Sequence, residues 1–110
     1  MGSARRSALT ALEKCRRSGA WSDAALGAVM DKEGLEGRDR ALCTALCYGV
    51  LQNLFLLDYI LQSASTPPLK KAEPKVLDIL RVGAYQLLFL TKIPASAAVN
   101  EAVELCRARG

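Results

Sequence analysis

Histidine is absent from the 110 residues, aromatic side chains make up only 5% of them, and the four cysteines, Cys15, Cys43, Cys47 and Cys106, form no Cys-x-x-Cys pair. Without histidine or paired cysteines the usual ligand spacings for zinc are missing, so no metal site is expected. The shortage of aromatics argues against a sheet, while an excess of alanine and leucine favours helices. A long uninterrupted hydrophobic run is lacking too. Residues 41–69 carry Asp58 as their only charge before Lys70, yet Thr44, Gln52, Asn53 and Gln62 interrupt them, and a membrane span needs about 20 mostly apolar residues in a row. The first residues, Met-Gly-Ser-Ala-Arg-Arg, lead into no apolar segment of the kind that marks secretion. Disulfides are therefore not expected, and the cytoplasm is the expected location.

What is present is a single-domain length and an uneven distribution of charge. Residues 1–17 hold Arg5, Arg6, Lys14, Arg16 and Arg17 against Glu13, whereas residues 18–110 hold ten basic and ten acidic side chains. The whole formal charge of +4 thus sits at the start of the chain, ahead of Ser18. Such a start suits a phosphate backbone or an acidic partner.

Residues 74–90, from Pro74 to Leu90, are apolar on nearly every side of a helical wheel, with Asp78, Arg81 and Tyr85 as the one polar stripe. A helix of that kind belongs at the centre of a bundle. Pro74 suits its first position, and Gly83 with Ala84 would let a neighbouring backbone approach.

In chain order, Ser3 is a candidate cap for a first helix that Gly19 ends. Ala4, Ala8, Ala11, Leu12 and Cys15 share one face of it, Arg6 and Arg17 lie opposite, and Arg5 and Arg16 share a neighbouring stripe. Two readings stand for these cations: a row of phosphate contacts, or a solvated face that keeps the domain soluble. Ser22 should cap a second helix that leaves at Gly34, with Trp21 either stapled onto Leu26 or its neighbours or serving as a stacking platform for a base. A third helix should start near Gly37, with Leu42, Cys43, Leu46, Cys47 and Val50 on its apolar side. Cys43 and Cys47 read best as small buried hydrophobes. Gln52 and Asn53 predict a kink or break, and Pro67 and Pro68 end the helix that restarts at Leu54. Lys70, Lys71 and Lys75 cluster before the central helix, where they suit either a ligand or a solvated loop. A last helix should begin near Ser96, with Val99, Ala102, Val103 and Cys106 on its apolar face.

Arg38-Asp-Arg-Ala-Leu42, Leu46-Cys-Tyr-Gly-Val-Leu51, Leu80-Arg-Val-Gly-Ala-Tyr-Gln-Leu87, and Pro94 followed by Ala98-Val-Asn-Glu-Ala-Val-Glu-Leu105 come in an order and spacing that resemble the NusB-type all-helical RNA-binding domain. The resemblance covers residues 4–110. Within the family it points to the N-terminal domain of bacterial rRNA cytosine-5 methyltransferases of the Sun/RsmB type, rather than to the free-standing antitermination factor.

The resemblance implies an all-α bundle of about five to six helices around the central one, with ribosomal RNA as partner. It implies no catalytic residue and no cofactor within this chain; the parent would be an S-adenosylmethionine-dependent methyltransferase whose catalytic domain lies elsewhere. Arg5 falls where the family uses an arginine on RNA, Arg6 extends that start, and Lys14, Arg16 and Arg17 join them from the wheel. Arg81 matches a family position and reads equally as a partner of Asp78 or Tyr85. Lys70 and Lys71 complete the expected RNA-binding set. Asn100 and Glu101 match the family's Asn-Glu pair and lean towards a structural role.

There are departures. Related methyltransferase domains often carry arginines where this chain has Gln52 and Asn53. The family also continues past Gly110 into one more helix, so an exposed apolar groove, and with it a homodimer or a fragment of a longer protein, is expected. The alternative function is a protein-interaction module that binds RNA together with a ribosomal protein.

Overall fold

The computed structural model describes residues 2–63 and 71–91. They form five α-helices, α1 (Gly2–Ser18), α2 (Asp23–Lys32), α3 (Gly37–Gln52), α4 (Leu54–Ser63) and α5 (Pro74–Tyr85), and a π-helical turn, Gln86–Leu90, that continues α5. No strand occurs among the described residues, and the chain is all-α. The last helix expected near Ser96, together with Lys70, Asn100, Glu101 and Cys106, lies outside the described residues. Two compact units, Met1–Gly49 and Val50–Gly110, divide the chain.

In the first unit, α1 packs against α2. The face read from the wheel is the buried one: Ala4, Ala8, Ala11, Leu12 and Cys15 all lie in the core. Small side chains at four of those five positions let neighbouring backbone come close, and the Cys47 thiol reaches the Ala8 carbonyl at 3.7 Å. Gly19 ends the helix at φ +84°, a conformation that disfavours any residue with a Cβ, and its N–H closes onto the Cys15 carbonyl at 3.0 Å. One expectation fails here. α1 already begins at Gly2, so Ser3 stands inside the helix rather than capping it.

Ser22 does cap α2, its hydroxyl accepting the Ala25 N–H at 3.2 Å from an extended backbone. At the other end Leu35 N–H reaches the Met30 carbonyl at 2.9 Å and Gly34 N–H the Asp31 carbonyl at 3.1 Å, with Gly34 at φ +70°. This is a Schellman ending, and the buried Leu35 side chain after it supplies the accompanying apolar contact. Cys43, Leu46 and Cys47 of α3 are fully buried. Arg40 at the start of α3 pairs with Asp31 of α2 at 2.8 Å.

In the second unit the chain breaks at Asn53, as the polar pair predicts, and α4 restarts at Leu54. No single helix among the described residues is long and apolar enough to cross a membrane; α3 and α4 would pass only if joined across that bend. α4 packs against α5; Leu57 and Leu61 of the one and Leu80, Val82 and Ala84 of the other are buried. α5, expected at the centre of the bundle, is shorter than the apolar run of residues 74–90. After Tyr85 the coil widens, Thr91 N–H reaching back to the Gln86 carbonyl at 3.0 Å. No residue of Gln86–Leu90 is buried.

Candidate functional site

α1 carries the first candidate surface. Arg6, Lys14, Arg16 and Arg17 are exposed, and Arg5 is half-buried beside the core face. At about 100° per residue Arg6 and Arg17 point away from the core, Arg16 stands on the flank with Arg5, and Lys14 lies on the opposite flank. The cations therefore wrap the outer side of the helix instead of forming one line. Arg6 and Arg17 are separated by about 16 Å along the axis at about 1.5 Å per residue. Arg17 meets Glu13 one turn back at 3.1 Å, but its side chain remains 78% exposed. A contact so open to water is weak, and an incoming phosphate can compete for it. Arg16 and Arg17 occupy the last turn of α1, where positive charge also suits the helix dipole.

The cations around α5 fare differently. Lys71 is exposed just ahead of α5, and Lys75 is exposed in its first turn. Arg81 is engaged by carboxylates: its Nε donates to Asp58 Oδ1 at 2.7 Å and an Nη to Asp58 Oδ2 at 2.9 Å, with Asp78 at 3.8 Å. This two-pronged geometry fits the flat guanidinium to the flat carboxylate. It also accounts for the lone charge in residues 41–69, since Asp58 of α4 is the carboxylate that meets Arg81 of α5. The polar stripe of α5 thus faces inward, with Asp78 buried. Tyr85 does not stack on Arg81 but lies on Phe89, centroids 4.9 Å apart and planes at 21°.

A cluster that sequence reasoning divided among separate elements lies at the start of α2. The Trp21 indole N–H donates to Asp23 Oδ1 at 3.2 Å, and the Tyr48 hydroxyl donates to the same oxygen. The Trp21 and Tyr48 rings meet edge to face, 5.5 Å apart at 76°. Trp21 is thus held by Tyr48 of α3. Nothing in the spacing announces a partner so far along the chain.

The three described cysteines are free, buried thiols. Its hydrogen-bonded neighbour Cys43, and then burial, push the Cys47 thiol well above its ordinary range. A thiol so held stays protonated and is a poor nucleophile. Among the described residues no group of three or more cysteines and carboxylates is placed to hold a metal ion.

Among the described residues, cations are spread over the outer side of α1, a distribution that suits an anionic partner. The chain belongs to the NusB family, which it matches over residues 2–110. It is 42% identical over 103 residues to the probable ribosomal RNA small subunit methyltransferase B of Bacillus subtilis (strain 168), covering 94% of this chain and 23% of that protein. The protein of the same name from Synechocystis is 37% identical over 110 residues, covering 100% of this chain and 25% of its own length. A putative methyltransferase of Mycobacterium tuberculosis is 38% identical over 101 residues, with 92% and 22% covered. The chain therefore spans about a quarter of the length of these relatives. No solved structure matches it.

Proposed function

We propose that the chain is an RNA-binding accessory domain of an rRNA cytosine-5 methyltransferase, working in the cytoplasm and holding ribosomal RNA while chemistry proceeds in the remainder of the protein. The observation that carries this reading is the exposed cationic side of α1 in a chain of this family. Arg6, Lys14, Arg16 and Arg17 contact phosphates, and the half-buried Arg5 joins them from the flank it shares with Arg16. Lys71 and Lys75 add a second, smaller patch. Arg81, committed to Asp58, serves the fold.

The test is binding of the chain to a ribosomal RNA fragment across a range of salt, beside a variant with Arg6, Lys14, Arg16 and Arg17 changed to Ala. Alanine preserves the helix. Four lost phosphate contacts should lower the slope of log K against log salt by about three, at roughly 0.7 per contact on single strands. Equal affinity and slope in the two proteins would refute the reading.

One observation favours a second reading, the protein-interaction module. On α4, Phe55 is 91% exposed and Tyr59 74%, one turn apart, with Leu56 beside them. Asp58, the one charge of that helix, is taken up by Arg81. An aromatic face of this kind suits a protein surface better than a phosphate backbone. A ribosomal protein as partner would then be retained by the α1 variant and lost when Phe55 and Tyr59 are changed to Ser.

A further inference from the structure

Trp21 has contacts that go beyond simple packing. It is the chain's one tryptophan, half-buried, and it stands immediately before α2 rather than inside the core. Two interactions set its orientation, the indole N–H on Asp23 and the edge-to-face contact with Tyr48. Tyr48 in turn is fixed by its own hydroxyl on the same carboxylate. Because the rings meet at 76°, Tyr48 is not laid flat over the indole. Asp23 would ordinarily repel a nucleic acid, but here its carboxylate serves as the acceptor that locks both rings.

The position along the chain matters as much. Trp21 follows Arg16 and Arg17 after the turn at Gly19. The backbone from Arg17 to Trp21 can span at most about 14 Å, at some 3.5 Å per residue. Two arginines and an oriented indole so close along the chain can offer one short stretch of strand both a phosphate contact and a flat apolar surface.

We propose that Trp21 is a stacking platform for one unpaired base of the RNA whose phosphates meet Arg16 and Arg17 at the end of α1. This inference rests on the RNA-binding reading and adds to it a preference: single-stranded segments over perfect duplex. Duplex bases are already stacked on each other and present no free face. Asp23 and Tyr48 are positioning residues that hold the ring ready, so less of its freedom is lost on binding.

With a single tryptophan, intrinsic fluorescence reports on this site alone. The chain is titrated at low salt with a nine-nucleotide single-stranded RNA of mixed sequence and with the same sequence as a blunt duplex. The variants Trp21→Leu and Trp21→Phe are followed by anisotropy of the same RNAs carrying a label, with circular dichroism as the check on folding. The single strand should quench Trp21 and the duplex leave it nearly unchanged. Trp21→Leu should bind the single strand about five- to a hundred-fold more weakly with the salt slope unaltered, because the indole touches no phosphate, and Trp21→Phe should recover part of the loss. Binding without quenching, or a folded Trp21→Leu that binds like wild type, would overturn the platform and leave the RNA-binding reading intact. Failure of the wild type to bind either RNA would overturn both. Should Trp21→Leu not fold, quenching and Trp21→Phe decide.

Discussion

Arginine occurs in two settings here, and their contrast separates function from fold. On α1, Arg6, Arg16 and Arg17 are exposed, and the ion pair of Arg17 with Glu13 spans one turn of the same helix. On α5, Arg81 is 20% exposed and binds Asp58 of α4 with two hydrogen bonds. The Arg17 pair forms in water, where the ions give up little hydration and gain little. The Arg81 pair lies mostly out of water, where either charge left alone is costly. The same guanidinium is thus available to a ligand in one unit and tied to the fold in the other.

The largest effect should come from breaking the inner pair. Asp58→Ala strands Arg81 against Asp78 alone and should lower stability by about 2–3 kcal/mol, somewhat less than a fully buried pair because Asp58 is partly open to water. Urea unfolding measures it. The double variant with Arg81→Met should recover part of the loss, since the stranded guanidinium is then gone, and the recovery stays partial because buried Asp78 loses its own contact with Arg81. RNA affinity should be unmoved in both, and a clear fall in affinity with intact stability would place Arg81 among the ligand contacts after all.

A smaller effect is expected in the first unit, where a hydrogen bond with Cys43 and then burial act on the Cys47 thiol. The Cys47 thiol is pushed up in the folded chain from its ordinary value of 9.0. Below that value both states hold the proton and stability does not depend on it. Above it the unfolded chain releases the proton and the folded one keeps it, so stability should fall by up to about 1.4 kcal/mol per pH unit. A hydrogen bond to Cys47 holds the Cys43 thiol below its own ordinary value, an opposite contribution, so the comparison is made without it. Thermal midpoints from about pH 7 to 10 should show a steeper alkaline decline in Cys43→Ala than in the variant with both cysteines changed to Ala. Parallel declines would mean that Cys47 ionises as readily folded as unfolded.

The smallest effect on stability is expected outside. Arg17→Ala should change it by no more than about 0.5 kcal/mol, alanine's helix propensity offsetting the lost pair. Its effect belongs to binding, as a fall of about 0.7 in salt slope. A loss of stability near that of Asp58→Ala would erase the contrast between the two arginines.

Most of the described elements were legible from local signals, the Ser3 cap excepted. Ala4, Ala8, Ala11, Leu12 and Cys15 recur at helical spacing, and all five are buried. Ser22 and Gly34 bracket α2 as cap and exit, and the polar pair at Gln52 and Asn53 marks the break before α4. Each of these rests on contacts within a turn or two, which spacing encodes directly. The placement of α1's cations on its outer side was legible for the same reason.

The Asp23 cluster and the role of Asp58 were not. A lone acid in an apolar stretch and a lone tryptophan before a cap each allow several partners, and the one chosen sits on a different helix, Arg81 of α5 for Asp58 and Tyr48 of α3 for Trp21. The π turn was hidden as well. Residues 86–90 are as apolar as the helix before them, and a wheel cannot tell an α-helical coil from a wider one.

By itself the sequence determined the helices, their inner faces, and the concentration of charge on the first of them, because periodicity and capping act through neighbours along the chain. Only the tertiary structure decided which cations remain available. That choice depends on whether a carboxylate from another helix arrives with matching geometry, as Asp58 does for Arg81 and as none of the described contacts does for Arg6.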